Sequence, residues 1–201
     1  MTPPPDHSPQ HGHSPQHGNS PRPLPTPTEM EARYSQSAQL WSGKPNRALV
    51  DFASTLRPGT ALDVGCGEGA DLQWLSDQGW EATGIDFAPT AVKRTRERGL
   101  RAYLSSLKDF DHPPFDLVNV QFGGIPATAA AVAKLESLVA PGGKLLFVHH
   151  DWESTEMAMP AWLANNLQQL EVIEYRKLSR AVNTGAGAGH AYDLVLTAER
   201  R

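Results

Sequence analysis

Three glycines stand within five positions in the stretch TALDVGCGEGADLQW, residues 60–74. They share one loop after an apolar run and are Gly65, Gly67 and Gly69. Glycines at this spacing let the backbone come close to a ligand, because no Cβ stands between them. Acidic residues accompany the loop, since Asp63 precedes it and Glu68 lies inside it. The loop therefore predicts a ligand site, and the charge of the ligand has to be compatible with these two carboxylates.

By spacing alone, the loop matches a dinucleotide fingerprint. Gly65, Gly67 and Ala70 fit G-x-G-x-x-A, and Asp86 follows after about 20 residues, where an acid binds ribose hydroxyls. A pyrophosphate at a helix N-terminus favours bare amides without anions nearby. Like charges at ~4 Å cost a few kcal/mol at an intermediate dielectric. A phosphate-free ligand with cationic groups, such as S-adenosylmethionine with its sulfonium and ammonium, avoids this conflict.

The stretch ALDVGCGEGADLQWLSDQGWEATGIDFAPTAVKRTRERG resembles the core of class I S-adenosylmethionine-dependent methyltransferases. LDVGCGEG matches the first motif of that family, and GIDFAPTAV matches the acidic end of its second strand with the following helix. With KPNRALVDFASTLRPG in front, the chain is similar to the small tellurite-resistance and thiopurine methyltransferase-like branch. The resemblance runs from about Trp41 to the C-terminus and weakens after residue 125.

The resemblance implies a Rossmann-like α/β fold with a seven-stranded sheet of order 3-2-1-4-5-7-6, in which strand 7 is antiparallel. It also implies a set of cofactor contacts, namely Asp63, Gly65, Gly67, Glu68, Asp86, Phe87, Ser106 and Leu107. Two further candidate cofactor contacts are Cys66, within the loop, and Gln121, which leaves the fourth strand beside the switch point of the sheet. Asp86 would bind the ribose, and Phe87 would pack against the adenine. YLSSLKDF lacks the acidic or amide side chain that many family members use at the adenine, so Ser106 and the Leu107 backbone would replace it.

Apolar runs alternate with helical patterns along the chain, which independently predicts a parallel sheet covered by helices on both faces. The predicted strands cover residues 60–64, 81–85, 101–104, 115–122, 144–150, 170–178 and 191–200. Only the loop SRAVNTGAGAGH joins the last two strands, so these two strands are expected to form an antiparallel hairpin at the edge of the sheet.

The residues that would serve the methyl acceptor are less specific. Methyl transfer depends mainly on positioning, and a base is needed only when the acceptor must lose a proton. No catalytic residue is therefore assigned, and the candidates are Gln121, His149, His150 and His190. The candidate substrate contacts are Trp41, Arg47 and His150. No spacing specifies a metal site, so none is predicted.

Each of these residues also has a purely structural interpretation. Asp86 could cap the following helix, and Asp63 could hold the glycine loop by hydrogen bonds. Gln121 and the histidines could be polar strand ends in solvent, and Trp41 and Arg47 could serve helix packing and surface charge. Cys66 fits a small core residue.

Composition limits the class of protein. The chain has 201 residues, a net charge of -4 and one cysteine, Cys66. Residues 1–28 are rich in Pro, His, Ser and Gln, contain HSPQHG twice, and are predicted to be disordered, leaving residues 29–201 as one domain. No signal peptide is recognisable and no apolar run reaches the ~18 residues of a membrane span, so a cytoplasmic protein without a membrane partner is expected.

The charge balance argues against a global basic field for nucleic acid, and the run KRTRER fits a solvated helix face. The sequence therefore predicts transfer of a methyl group to a small-molecule N, O, S or metalloid acceptor by direct displacement. Two alternatives stay open, an NAD(P)-dependent oxidoreductase and a non-catalytic module that binds S-adenosylmethionine. The sequence does not indicate the oligomeric state.

Overall fold

The computed structural model describes residues 23–179 and 191–201. Residues 1–22 and 180–190 lie outside the described residues, and with them nearly all of the predicted hairpin loop and the candidate residue His190. The described part of the chain forms helices α1 to α6 at Pro27–Ser35, Arg47–Ala53, Ala70–Asp77, Pro89–Glu97, Ala129–Ser137 and Pro160–Ala164. Its strands β1 to β7 are Thr60–Val64, Glu81–Asp86, Ala102–Leu104, Phe115–Gln121, Val139–His150, Leu170–Ser179 and Tyr192–Arg200.

The seven strands form one sheet in the order β3-β2-β1-β4-β5-β7-β6. The pairs among β1 to β5 are parallel, whereas β7 runs antiparallel to both β5 and β6. The predicted strand order and the single antiparallel strand are confirmed. The carboxyl ends of β1, β2, β4 and β5 therefore meet along one edge of the sheet.

Side chains of the central strands alternate between two cores, one on each face of the sheet. On β5, Leu145 and Phe147 are buried with residues of α5 and α6, whereas Leu146 and Val148 are buried with residues of α2 and α3. Strands buried on both faces read as continuous apolar runs, as β5 does. This packing on both faces of the sheet fixes the positions of the strand ends.

One predicted strand boundary is wrong, and the N-terminal segment joins the fold early in the described chain. Leu24 N–H donates to Glu156 Oε2 at 3.0 Å. Helix α1 starts at Pro27 because Thr26 and Glu29 cap it reciprocally, and it ends at Ser35. Strand β5 begins at Val139 rather than at the predicted residue 144, so PGG lies inside the strand.

The helices of the described ranges are short, and none combines the length and the apolar character that crossing a bilayer requires.

Candidate functional site

A cavity of about 440 Å³ opens at the carboxyl ends of β1, β2, β4 and β5. Its walls come from the glycine loop after β1, from the segment 23–46 and from the ends of β4 and β5. Open α/β sheets bind ligands at this edge, where the strand order reverses beside β1. Two kinds of surface face each other in the cavity: acidic and amide groups near β1 and β2, and aromatic, histidine and methionine side chains near β4 and β5.

The glycine loop folds back onto β2. The backbone N–H groups of Gly65 and Cys66 both donate to Ile85 O, at 2.8 and 3.0 Å. Gly67 adopts a φ of +52°, and a Cβ there would lie 3.0 Å from Tyr34 Oη and 3.2 Å from Trp41 Nε1. Only glycine therefore lets the loop take this turn while the segment 23–46 packs onto it.

Asp86 ends β2 inside the cavity, with 7% of its surface exposed. Its Oδ2 accepts from Gly67 N–H at 3.0 Å and its Oδ1 from Ala88 N–H at 2.9 Å. Burial raises the pKa of this carboxyl, and these backbone donors partly oppose the rise. Asp86 thus braces both the glycine loop and the start of α4, and its ribose contact stays a prediction that its position in the cavity permits.

A buried polar network underlies the cavity floor. Asn119 Nδ2 donates to Asp63 Oδ1 at 2.8 Å and lies 3.4 Å from Asp71 Oδ2. Asp71 also accepts from the backbone and side chain of Asn46, at 2.6 and 2.9 Å. Asp63 therefore accepts a structural hydrogen bond beneath the loop and also lines the cavity. Its structural and its ligand-binding interpretations are compatible with each other.

Two carboxyl groups in this network resist ionisation. Burial raises the pKa of Asp63 well above its ordinary 3.8, and the charges of Asp71 and Asp86 add to the rise. Burial raises the pKa of Asp71 as well, although hydrogen bonds from Asn46 and Asn119 oppose that rise. A positive ligand would favour the ionised forms, whereas a phosphate would have to approach groups that already repel one another.

Gln121 lines the cavity, and the polar network fixes its amide group. Asn119 Nδ2 donates to Asp63 Oδ1, and Gln121 Nε2 donates to Asn119 Oδ1 at 2.8 Å. Gln121 Oε1 is buried and accepts no hydrogen bond from the described residues.

The geometry does not support the predicted contact of Glu68 with the methionine part of a cofactor. Glu68 lines the cavity, but its carboxylate accepts from the backbone N–H groups of Leu40 and Trp41 at 3.0 to 3.1 Å. Arg94 Nη1 adds an ion pair at 2.8 Å, and its Nη2 donates to the carbonyls of Tyr34 and Ser37. The negative charge inside the loop therefore serves mainly to attach the segment 23–46.

Trp41 lines the cavity as predicted for a substrate contact, and it belongs to an aromatic pair. Its Nε1 donates to Tyr34 Oη at 2.8 Å, and the Arg33 guanidinium lies 5.5 Å from the centre of the Trp41 ring. Glu31 holds α1 to α4 by accepting from the backbone and hydroxyl of Thr90, at 2.9 and 2.5 Å. Sequence analysis missed Tyr34 and Glu31, which lie outside the motifs.

The opposite wall carries two histidines at the end of β5. His150 Nδ1 lies 3.1 Å from Asp193 Oδ1, and Phe122 stacks on the His150 ring with 4.2 Å between ring centres. Phe122 has a φ of +59°, an uncommon conformation for a bulky residue. Trp152 packs against both His149 and His150, with centroid distances of 5.1 and 5.3 Å. The interpretation of these histidines as solvent-exposed strand ends is wrong, since both are buried.

Three predicted site residues lie away from the cavity. Arg47 forms a surface ion pair with Asp51, and 70% of its side chain is exposed. Ser106 Oγ donates to Asp109 Oδ2 at 2.6 Å in a local turn, and Leu107 packs against the core beneath the sheet. The structure thus gives these three residues structural contacts, whereas Gly65, Cys66, Phe87 and the other described candidates line the cavity.

The basic side chains of the KRTRER run, in and just after α4, bind other groups of the same chain. Arg94 pairs with Glu68, Arg96 Nε donates to Ala102 O, Arg98 Nη1 donates to Glu68 O, and Lys93 pairs with Glu97. Because these basic side chains have partners within the chain, the contacts argue against a surface on α4 that binds nucleic acid. In the described ranges, no three acidic, cysteine or histidine side chains come together as a metal site.

Comparison with known proteins gives the fold and site a family. A family model described as a methyltransferase domain matches residues 35–187, which is more than half of the chain. Aklanonic acid methyltransferase DauC from Streptomyces sp. strain C5 is 33% identical over 116 residues, covering 50% of this chain and 52% of DauC. The chain spans about half the length of the curated relatives that it matches.

Two solved structures share the fold at lower identity. One comes from work on the conversion of a disulfide bond into a thioacetal group during echinomycin biosynthesis. It has a TM-score of 0.70 and 19% identity, and the match covers 87% of this chain and 93% of that one. TehB from Haemophilus influenzae has a TM-score of 0.62 and 16% identity, with 86% and 66% covered.

The fold and the cavity are those of an α/β domain that binds a ligand at the carboxyl ends of its parallel strands. The family match narrows this broad class to methyltransferase domains. The chain belongs to the S-adenosylmethionine-dependent methyltransferase domain family. The resemblance predicted from the LDVGCGEG and GIDFAPTAV motifs is confirmed, and so is the predicted cofactor of the family.

Proposed function

We propose that this protein transfers a methyl group from S-adenosylmethionine to a small-molecule acceptor. The observation that carries the proposal is the cavity itself, with buried carboxyl and amide acceptors on one side and an aromatic wall with two histidines on the other. The cofactor supplies an electrophilic methyl group on a sulfonium. The residues of this chain bind, orient and desolvate the two reactants.

The acidic side of the cavity fits the cofactor. In their ionised forms Asp63 and Asp71 offer only acceptors to the cavity, which suits a ligand with an ammonium and a sulfonium. Asp86 and Phe87 line the same cavity from the end of β2, in line with the predicted ribose and adenine contacts. The raised pKa of Asp63 supports a cationic partner, because only such a ligand relieves the cost of its ionisation.

The acceptor side favours a small molecule. Phe122, Trp152 and Met157 line it together with Met30 from α1, and the cavity of about 440 Å³ has the size of small-ligand pockets. The name of DauC, an aklanonic acid methyltransferase, supports a small-molecule acceptor. The charge of -4 and the internally paired arginines of α4 argue against a nucleic acid.

The two alternative functions, an oxidoreductase and a binding module without catalysis, do not have equal support. An NAD(P)-dependent oxidoreductase has no support beyond the glycine spacing, since the family match and the acidic cavity both point elsewhere. A module that binds S-adenosylmethionine without catalysis would use the same cavity. The cysteine count, with Cys66 alone in the chain, supports the proposal of a reducing compartment such as the cytoplasm.

Calorimetric titration with S-adenosylmethionine, S-adenosylhomocysteine and NADH tests the proposal. Micromolar binding of the first two ligands, without binding of NADH, is expected. Turnover is then tested with panels of hydroxyl, thiol and amine acceptors by following release of S-adenosylhomocysteine. Binding of NADH alone would refute the proposed cofactor, and tight S-adenosylmethionine binding without turnover across all acceptor classes would favour the binding module.

A further inference from the structure

The outer strand of the sheet, β6, is exposed along most of its length. It is 10 residues long and stands at the end of the strand order, beyond β7. Within the described ranges, β7 is its only strand partner. Residues 171–175 are exposed one after another, so neither face of this half of the strand is covered. The outer side of such a strand presents N–H and C=O groups that can pair with a strand of another chain.

Large apolar side chains are concentrated along this edge. Six of them are exposed in the part of the chain that the structure describes, and two of the six lie on β3 at the opposite edge. The other four are on β6 or at the start of β7, namely Val172, Ile173, Tyr175 and Tyr192, with 37 to 59% of their surface exposed. Single exposed apolar residues are ordinary, but a group on adjacent strands marks an interaction surface.

The usual protection of an edge strand is weak in β6. Proline and glycine are absent from its sequence, LEVIEYRKLS. Its basic side chains are paired within the chain, because Arg176 Nε lies 3.1 Å from Glu174 Oε2 and Lys177 Nζ lies 2.5 Å from Asp151 Oδ2. A bulge interrupts the pairing with β7 before Glu174, but the register from Glu174 to the end of β6 is regular. This regular half can therefore accept a further strand.

The order of charges makes β6 complementary to itself in the antiparallel direction. Glu174 precedes Tyr175 and Arg176 follows it. Antiparallel pairing of two copies about a two-fold axis at Tyr175 would set Glu174 of each copy opposite Arg176 of the other. The two tyrosine side chains would meet at the axis, and both kinds of cross-strand pair stabilise a sheet. An axis at Glu174, or a parallel pairing in register, would instead set like charges against each other.

We propose that this protein forms a homodimer in which the β6 strands of two copies pair antiparallel, centred on Tyr175. This inference goes beyond the proposed function and does not depend on it. The interface is isologous, since the same strand is used by both copies. It joins the two seven-stranded sheets into one continuous sheet.

The geometry of the sheet also fixes where the two cavities would lie. Strand β6 runs in the same direction as β5, because both are antiparallel to β7. The carboxyl end of β6 therefore points to the cavity edge of its own sheet. Antiparallel pairing turns the cavity of the second copy to the opposite edge of the joined sheet. Each copy should then bind ligands independently of the other.

Analytical ultracentrifugation of the full chain over a concentration series tests the dimer. A reversible equilibrium between monomer and dimer is expected, with a Kd on the order of micromolar, because pairing through one strand is at the small end of interface sizes. A species with the mass of one chain at every concentration up to about 1 mM would overturn the inference.

Two tyrosine variants decide which edge of the sheet is used. Tyr175 on β6 is 46% exposed, and Tyr103 on the opposite edge strand β3 is 44% exposed. Tyr175→Ser is expected to raise the dimer Kd about 10-fold or more, because both copies lose the side chain at the axis. Tyr103→Ser is the matched control and should leave the Kd unchanged, and thermal unfolding checks that both variants fold. A weaker dimer in Tyr103→Ser alone would overturn the assignment to β6.

Charge reversal tests the antiparallel direction. Glu174→Arg should raise the dimer Kd about 10-fold or more, because two attractive cross-strand pairs become repulsive. Adding Arg176→Glu to this variant should restore the Kd to within about 3-fold, since the opposite charges then face each other again. Glu97→Arg, which removes the exposed ion pair with Lys93 on α4, is the control and should have no effect. Failure of the double variant to restore the dimer would contradict this pairing.

Cross-linking tests the register. A cysteine in Tyr175→Cys would face its own copy at the axis, so a short bismaleimide should join the two chains. A cysteine in Ser179→Cys would lie about 26 Å from its copy, at about 3.3 Å per residue, and should not be joined. The natural Cys66 is buried and gives a low background. Efficient cross-linking through position 179 instead of 175 would overturn the register.

The affinity for S-adenosylmethionine separates this inference from the proposed function. Calorimetry should give the same affinity per chain for the unchanged protein, Tyr175→Ser and Glu174→Arg. A dimer that does not bind S-adenosylmethionine would contradict the proposed function and leave the inference intact. A monomer that binds it would overturn the inference and leave the proposed function intact.

Discussion

Single carboxylates in this protein combine structural and ligand-binding duties, and Asp86 shows this most directly. It supports the backbone of the glycine loop and of the turn before α4, and its remaining acceptor capacity faces the cavity. The same atoms that would bind a ribose therefore also shape the loop that contacts the rest of the ligand.

Replacing Asp86 by Ala should weaken S-adenosylmethionine binding by about 1.5–3 kcal/mol, because charge-assisted hydrogen bonds are lost. Calorimetry should show this as a roughly 10- to 150-fold rise in Kd. Asp77→Asn is the control, since Asp77 is exposed on α3 and accepts a hydrogen bond from Gln73 one turn away. An unchanged Kd in Asp86→Ala would refute the placement of the ribose.

Asp63→Asn should change stability and binding in opposite directions. Because the folded-state pKa of Asp63 is raised, protonation favours the fold, and stability is lost as pH rises from about the unfolded value of 3.8 through the folded pKa. The amide removes this loss and still accepts from Asn119. The ligand-free variant should therefore gain Tm at neutral pH, with about 2–4 °C for each kcal/mol in a chain of this size.

Binding of S-adenosylmethionine to Asp63→Asn should be weaker than to the unchanged protein, and less dependent on pH. In the unchanged protein a cationic ligand favours the ionised carboxylate, so affinity should rise with pH through the raised pKa and protons should be released on binding. Calorimetry in two buffers with different ionisation enthalpies measures that release. A variant with lower Tm and unchanged affinity would contradict the assignment of Asp63 to the cavity charge.

At the scale of elements, the glycine loop and the segment 23–46 form one unit. Glu68 and Arg94 hold the segment by five hydrogen bonds to its backbone and by their own ion pair, and Tyr34 and Trp41 close over Gly67. The segment thus walls the cavity through contacts with α4 and the loop rather than with the sheet.

Gly67→Ala tests this contact and has a natural control in Gly99→Ala. Both glycines have positive φ, +52° and +78°, so each alanine costs about 1–2 kcal/mol of backbone energy. At Gly67 the Cβ would press on Tyr34 and Trp41, whereas no atom of the described residues would lie within 4 Å of a Cβ at Gly99. Hydrogen exchange should show opening of residues 34–43 in Gly67→Ala alone, with weaker S-adenosylmethionine binding.

Equal protection of residues 34–43 in the two glycine variants would show that the segment does not depend on contact with Gly67.

At the scale of the whole molecule, the sheet and its helices form a base on which the segment 23–46 completes the cavity. Removal of residues 1–22 should leave Tm and S-adenosylmethionine affinity unchanged, because their composition predicts disorder. Removal of residues 1–35 should keep the sheet but lose most of the affinity, since Glu31, Tyr34 and their contacts with α4 and Trp41 disappear.

Circular dichroism checks that both truncated proteins retain the sheet, and calorimetry gives the affinities. Loss of binding on removal of residues 1–22 would contradict the predicted disorder of those residues, and full binding after removal of residues 1–35 would show that α1 is no part of the site.

The sequence by itself determined the alternation of strands and helices, the glycine loop and the family, because each depends on local signals, and the resemblance to that family then implied the strand order. The apolar runs, the turn glycines and the acid at the end of β2 are read within a few residues of one another. The contacts between buried side chains, in contrast, join residues that are far apart in the sequence. Asn119 lies 56 residues from Asp63, Asp193 lies 43 residues from His150, and Glu68 meets a segment 27 residues away.

Only the tertiary structure could decide these contacts, since they follow from strand register and from the direction in which each side chain leaves the backbone. Glu68 accepts hydrogen bonds from the backbone of the segment 23–46, and Ser106 donates to Asp109 outside the cavity. Asp63 and Asn119, polar residues within apolar strands, were the signals of the polar network that the sequence contained. Its partners became definite only when β1, β4 and α3 were packed together.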